Sequence, residues 1–188
     1  MSVARKLFRL FKFFNEYITI RNTWAKSDMS DFDKYMTCLT RLAFAFYWLF
    51  DNIGVLIKVK WLQGYDLAAT TRRANKAWLT GLVLSIIHLI RKLVINAKAG
   101  AALKKQKAQI GQEGGLDKSS YDEKAKAIKA TRVTCIQNLV KNLGDCTTAS
   151  QGLGYPKKIL GVDFNDGVVG VGGFTSAFLT CYQTYPTK

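Results

Sequence analysis

Residues 42–57 read LAFAFYWLFDNIGVLI, an apolar run that only Asp51, Asn52 and Gly54 interrupt. Residues 21–33 before it are polar and contain Ser30, Asp31 and Asp33, which are common N-terminal caps, so we expect a long helix to begin there. The apolar run is slightly shorter than the roughly 20 residues that a helix needs to span a bilayer. We therefore expect a tilted membrane helix, a partly embedded helix or a buried core helix.

A second apolar run follows at residues 78–90 and is also short for a full span. Arg91 and Lys92 end it, and a polar, basic connection at residues 63–76 joins it to the first run. Basic residues and tryptophans beside apolar helices are typical of the membrane–water interface. The sequence therefore predicts a helical hairpin over residues 31–97 that is seated in or on a membrane.

Residues 1–20 have the pattern of an amphipathic helix with an aromatic-rich apolar face and a basic polar face. In a helix that lies in the membrane plane, the apolar face enters the acyl region while Arg and Lys meet anionic head groups. The candidate lipid-binding residues are Arg5, Lys6, Leu7, Arg9, Phe11, Lys12 and Phe14. The alternatives are a surface helix whose apolar face packs on a protein core, or a mitochondrial transit peptide.

The remaining chain divides into three parts. Residues 98–120 are rich in Lys and Arg and contain glycine, which predicts a flexible basic linker. Apolar residues at helical spacing predict an amphipathic helix over residues 121–143, ended by Gly144. The uncharged run 167–185 is the best single candidate for a full membrane span, although its glycines and Gln183 weaken that prediction.

Small residues placed four apart in this last run predict close packing on another helix. The two pairs are Gly172 with Ser176 and Gly173 with Ala177.

Asp51 is an acid within an apolar helix, where an unpaired charge is costly. We expect it to be paired with His88 or Arg91 of the facing segment, or with backbone donors. The alternative is that Asp51 lies at the water interface.

The chain of 188 residues has 28 Lys and Arg against 13 Asp and Glu, a formal net charge of +15, which implies an anionic partner. The aromatic residues lie in apolar runs and not among the basic residues. This favours anionic membrane lipids, cardiolipin among them, over nucleic acid.

Composition also bears on catalysis. His88 is the one histidine, and four cysteines stand far apart, so we expect no catalytic site, no metal and no cofactor. The sequence thus predicts one all-α membrane domain over residues 1–188 that is not an enzyme.

Four strings occur in a fixed order along the chain: ARKLFRLFKFFNEY (4–17), YWLFDNIGVL (47–56), WLTGLVLSII (78–87) and NDGVVGVGGFTSAFLTCYQTYP (165–186). Together they resemble the peroxin-eleven family of peroxisomal membrane elongation factors. The resemblance implies a peroxisomal membrane protein whose amphipathic helix inserts into one leaflet, bends the bilayer and promotes organelle elongation before fission. Family members usually carry several dozen residues before this helix, so a shortened or divergent member is expected.

That departure leaves an alternative function open. The fold could serve as a non-catalytic accessory subunit of a large mitochondrial inner-membrane assembly, such as a respiratory complex or supercomplex, whose basic faces hold cardiolipin. Under either function, the chain is expected to form a homo-oligomer or to join a larger membrane complex.

Overall fold

The computed structural model describes residues 9–110 and 118–185, which form helices joined by short turns. In chain order these helices are α1 (Lys12–Trp24), α2 (Asp31–Lys58), α3 (Leu67–Ile110), α4 (Lys118–Gln151), α5 (Tyr155–Leu160) and α6 (Asp166–Thr184). No strand occurs within these two described ranges. The all-α fold predicted from the sequence is confirmed.

Side-chain caps begin two of the long helices. The Ser30 hydroxyl accepts a hydrogen bond from the Asp33 amide at 3.3 Å and donates one to the Asp33 carboxylate at 2.7 Å. Asn165 caps α6 in a similar way, since its Oδ1 accepts from the Val168 amide at 2.8 Å. Such caps satisfy amide groups that have no partner inside the helix. The prediction that a long helix begins in the stretch with Ser30, Asp31 and Asp33 is confirmed, and Ser30 is its cap.

Contacts between α2 and α3 define an antiparallel hairpin. Near the middle, the Tyr47 ring stacks on the Trp78 ring with 5.4 Å between their centroids. A Cβ atom on Gly81 would lie 2.8 Å from the Phe44 ring, so glycine at this position lets the ring lie against the α3 backbone. Higher residue numbers in α2 therefore meet lower numbers in α3.

From α1 to α5 each helix contacts the next one along the chain, and α6 returns to contact α4. α1 packs on α2, α2 on α3, α3 on α4, and α4 on both α5 and α6; no other helix pair is in contact within the described ranges. An arrangement of this kind encloses little core. The buried apolar side chains in the described part are Val55, Ala74, Leu82, Leu103, Cys135, Ala149 and Leu153.

Two of the helices are long and apolar enough to cross a membrane: α2 and the Leu67–Lys107 part of α3. Only 28% and 17% of their most apolar windows are buried within the protein, whereas core helices of soluble proteins are mostly buried. With a rise of 1.5 Å per residue, α2 is about 42 Å long and exceeds the roughly 30 Å hydrocarbon core. Residues 167–185 do not meet these criteria, so the prediction that they are the best span was wrong. Their glycines and Gln183 lower the hydropathy of α6.

The basic stretch 98–120 is more helical than predicted. Residues 98–110 continue α3 and residues 118–120 begin α4, so the prediction of a flexible linker was wrong for both segments. The physical reason is composition, because Ala, Lys and Gln dominate residues 98–109 and are strong helix formers. Residues 111–117 lie outside the described part of the chain.

Gly144 does not end a helix, and α4 continues through it to Gln151. A Cβ atom on Gly144 would lie 2.5 Å from the carbonyl oxygen of Gly172 in α6. The glycine therefore permits a close approach of two backbones and does not act as a C-terminal cap. The prediction of a stop at Gly144 was wrong.

Candidate membrane interface

α1 packs on α2 through a mixed side that includes Glu16, Thr23 and the half-buried Phe13 and Ile20, and several apolar residues stay exposed on its other side. Arg41 of α2 donates to the Glu16 carboxylate at 3.3 Å, and Thr23 is buried. On the other side, Phe14, Tyr17 and Ile18 are 54%, 63% and 50% exposed. An ordinary surface helix packs its large apolar side chains on the core, whereas these three face away from the protein. The apolar residues of α1 are therefore divided, with Phe13 and Ile20 packed toward α2 and the three named side chains exposed. The aromatic Phe14 and Tyr17, together with the aliphatic Ile18 beside them, are called the α1 aromatic face below.

Several predicted lipid-binding residues lie at or before the start of α1. Arg5, Lys6 and Leu7 lie outside the described residues. The helix predicted over residues 1–20 begins at Lys12 within the described part, because Phe11 has a left-handed backbone with φ of 66°. This conformation is rare for a bulky side chain.

The structure describes two basic residues of the predicted lipid-binding set, Lys12 and Arg9. Lys12 lies toward α2, and Arg9 lies on the turn before α1. Lys12 Nζ lies 4.6 Å from the centroid of the Trp48 ring, within cation–π range. Arg9 is half-buried on the turn. Phe11 is 63% exposed, and its ring centroid is 6.2 Å from that of Phe14. The outward surface at this end of the chain is thus mainly aromatic.

His88 and Arg91 share one acid, and it is Asp33. His88 Nε2 lies 3.1 Å from Asp33 Oδ1, and Arg91 Nη1 contacts the same oxygen. Arg91 also covers the Phe32 ring, at 4.3 Å from its centroid. Asp51 is half-buried further along α2, about 27 Å from Asp33 at the helical rise, so its predicted pairing with His88 or Arg91 was wrong. The antiparallel register places those two side chains at the other end of the hairpin.

We expect Asp33→Ala to lower the melting temperature by about 2–12 °C, whereas Asp31→Ala should change it little. The first change removes the carboxylate that accepts from Ser30 and that His88 and Arg91 share, at a cost of about 1–3 kcal/mol. Asp31 belongs to the same helical turn but is exposed. Circular dichroism of the protein in lipid nanodiscs measures both values. Equal melting temperatures for the two variants would contradict the structural role of Asp33.

The interface between α4 and α6 contains one of the two predicted small-residue pairs. Gly172 and Ser176 are both buried, and a Cβ atom on Gly172 would lie 2.1 Å from Thr147 Oγ1 of α4. In the other pair, Gly173 is half-buried and Ala177 is exposed. The close approach of the helices is therefore made at Gly172 and Gly144.

A polar cleft of about 410 Å³ lies among α1, α2, α3 and α4. Asn142 donates to the Ser85 hydroxyl at 2.8 Å across this cleft. Burial raises the pKa of the Asp145 carboxyl, which also lines it, while the Ser176 hydroxyl and the Lys141 ammonium group oppose that shift. Trp48 and Trp78 are half-buried in the cleft wall.

Apolar side chains stay exposed along the long helices, at spacings of three and four residues. They form one stripe on each of three helices. The stripe on α2 consists of Leu39, Leu42, Phe46 and Leu49. The stripe on α3 consists of Val83, Ile87, Ile90 and Val94, and the stripe on α6 consists of Val171, Phe174, Phe178 and Tyr182. Contiguous exposed apolar surface of this extent is typical of membrane or protein interaction sites.

A separate apolar groove lies between the turn before α1 and the second half of α2. Its volume is about 550 Å³. We call it the N-terminal groove; it is lined by Leu10, Phe11, Phe13, Leu49, Asn52, Ile53, Leu56, Val59 and Trp61.

Comparison with known proteins identifies the family. A family model described as Peroxisomal biogenesis factor 11 (PEX11) matches residues 1–185. The chain belongs to the PEX11 family. The resemblance read from the four sequence strings is thereby confirmed. No curated protein and no solved structure matches this PEX11 family member.

Membership indicates a general role in the biogenesis of the peroxisomal membrane. The two apolar helices α2 and α3 are compatible with membrane association. PEX11 proteins are not a known enzyme family. Within the described residues, no three His, Cys, Asp or Glu side chains are grouped so that they could hold a metal ion.

Sequence reasoning missed three residues of this PEX11 chain whose surroundings the structure shows. Asp33 was recognised only as part of a cap, and its distance from His88 along the chain hides their contact. Arg41 pairs with Glu16, and Asn52 lies in the groove. No sequence pattern pointed to either residue. Only the register of α2 on α1 and α3 decides which side chains these residues meet.

Proposed function

We propose that this PEX11 protein shapes the peroxisomal membrane by seating the α2–α3 hairpin in the bilayer and inserting the α1 aromatic face into one leaflet. The observation that carries the proposal is the orientation of α1. The side of α1 that contains Glu16 is joined to α2 through Arg41, and Phe14, Tyr17 and Ile18 face away from the protein.

The expected mechanism is a wedge in one leaflet. Burying a large apolar side chain contributes roughly 1.5–3 kcal/mol, so the three side chains of the α1 aromatic face favour entry into the acyl region. A helix that occupies area in one leaflet only makes that leaflet larger and bends the bilayer. The contacts of Glu16 with Arg41 and of Lys12 with Trp48 hold α1 beside the hairpin.

Anionic lipids are the proposed partners of the basic surface. The chain has a formal net charge of +15, and most of its Lys side chains in the described ranges are exposed. Lysine and arginine near a membrane attract acidic head groups, and salt screens that attraction within about 10 Å at 0.1 M. Cardiolipin is one lipid of this class.

Reconstitution into giant vesicles tests the proposal. We expect the full-length protein to draw tubules from vesicles that contain anionic lipid, with fewer tubules from neutral vesicles and fewer as salt rises. Fluorescence microscopy at matched protein density measures tubule number. Vesicles that remain spherical with either lipid would contradict the wedge mechanism.

The location of a tagged chain separates this proposal from the alternative function. Co-localisation with a peroxisomal marker and elongated peroxisomes on overexpression are the expected results. Co-localisation with a mitochondrial marker, and co-purification with a respiratory assembly, would instead favour an accessory subunit.

A further inference from the structure

The amide of Asn52 is buried without a hydrogen-bond partner for its oxygen. Asn52 is 6% exposed, and its Oδ1 is the buried side-chain oxygen left unpaired in the described part of the chain. Leaving such a group unpaired costs about 1–3 kcal/mol. Folded proteins contain few atoms of this kind, and each one requires an explanation.

Asn52 belongs to the lining of the N-terminal groove, whose other lining residues are apolar. The groove has a volume of about 550 Å³, which lies in the range of small-molecule sites. Such sites typically combine apolar walls with a few polar groups that orient the ligand. No charged residue of the described chain lines the groove, so it favours an uncharged ligand over a carboxylate or a phosphate.

The groove lies near the C-terminal end of a helix that is long enough to span a membrane. Asn52 precedes Lys58, the last residue of α2, by about 9 Å along the helix axis. Trp61, on the groove wall, is 74% exposed just beyond that end, and tryptophan is enriched at membrane interfaces. A lipid in the bilayer could enter with its polar end close to the interface.

A hydroxyl group is the simplest partner for this amide. The terminal torsion of asparagine is broad, so either Oδ1 or Nδ2 can turn toward the groove. A hydroxyl both donates and accepts a hydrogen bond and therefore fits either orientation. We propose that the N-terminal groove binds an uncharged lipid with a single hydroxyl group, a long-chain alcohol or a sterol, and that Asn52 holds the hydroxyl. This proposal does not depend on membrane shaping.

Photocrosslinking of the full-length protein in neutral nanodiscs tests the site. The probe is hexadecanol with a diazirine in its chain, and mass spectrometry locates the adduct. We expect the adduct on groove residues, and we expect unlabelled hexadecanol to compete about tenfold better than hexadecane, the effect of one hydrogen bond. Cholesterol and hexadecanol compete in separate arms, and the stronger competitor identifies the source of the hydroxyl. Adducts outside the groove, hexadecane competing equally, or palmitate competing best would each overturn the proposal.

The variant Asn52→Leu separates binding from folding. We expect it to lose the preference of hexadecanol over hexadecane while its melting temperature stays equal or rises, because the unpaired amide is removed. Asn22→Leu is the matched control, since Asn22 is exposed on α1 and does not line the groove. An Asn52→Leu protein that retains the tenfold preference would overturn the role of this residue. A fall in its melting temperature would show that Asn52 is a structural residue and would also overturn the proposal.

Discussion

Replacing Phe14 and Ile18 together with glutamate is expected to abolish membrane tubulation by the reconstituted protein while the protein stays in the bilayer. Both side chains are about half exposed on the outward side of α1. Their loss removes about 3–6 kcal/mol of apolar burial on insertion. Two carboxylates on the same face add a further penalty, because a charge deep in the bilayer costs about 2.5–3.5 kcal/mol on insertion scales.

Retention in the bilayer is expected because the α2–α3 hairpin is unchanged in this variant. Flotation of proteoliposomes measures membrane association, and fluorescence microscopy of giant vesicles measures tubules. The two measurements separate a failure to bend the membrane from a failure to bind it.

The matched control is the double variant Asn15→Glu and Asn22→Glu, which changes the charge of α1 by the same amount. Both asparagines are exposed polar residues on this helix. We expect the control to form tubules, with a modest loss from weaker attraction to anionic lipid. If the control loses tubulation as completely as the Phe14 and Ile18 variant, net charge and not the α1 aromatic face would be the cause.

Gly144→Val should separate α6 from α4 and lower the melting temperature by about 6–12 °C. A Cβ atom at this position would lie 2.5 Å from the Gly172 carbonyl oxygen, and a backbone atom cannot turn aside as a side chain can. The clash therefore requires one helix to move. Overpacking of this kind costs up to about 3 kcal/mol, and each kcal/mol shifts the melting temperature of a chain of this size by about 2–4 °C.

Gly170→Val is the control for the change in helix propensity. Gly170 also lies in a helix, but a Cβ atom there would meet nothing within 4 Å. Valine is a better helix former than glycine, so this variant should melt at the same temperature or slightly higher. Circular dichroism in nanodiscs compares the two variants. A Gly144→Val protein as stable as the Gly170→Val protein would contradict the close contact of α4 and α6.

Periodicity and composition were sufficient to predict the helical fold and the hairpin. These two features depend on which residue types recur along a single helix. Ser30 shows this most directly: a local hydrogen bond to the Asp33 amide starts α2, and a sequence of a few residues contains that information. The same local reasoning failed at Gly144, since glycine serves both helix ends and close helix contacts. Nothing in the neighbouring residues distinguishes the two uses.

The candidate membrane interface was predicted in part. The aromatic pattern of residues 11–18 predicted a lipid-facing surface, and packing of that surface on a protein core was the alternative. The pairing of Glu16 with Arg41 decides which side of α1 meets α2, and it joins residues that are far apart in the chain. The partner of His88 could not be predicted for the same reason, because both Asp33 and Asp51 belong to α2.

The sequence by itself determined that this protein is helical, basic, rich in apolar runs and a member of the PEX11 family. These properties follow from residue types, their spacing and the order of short strings. The tertiary structure alone decided the outward orientation of α1, the contact of Gly144 with Gly172 and the burial of Asn52 in the groove. Each of these depends on the register between helices, which is set by the summed packing of many distant side chains and not by any local pattern.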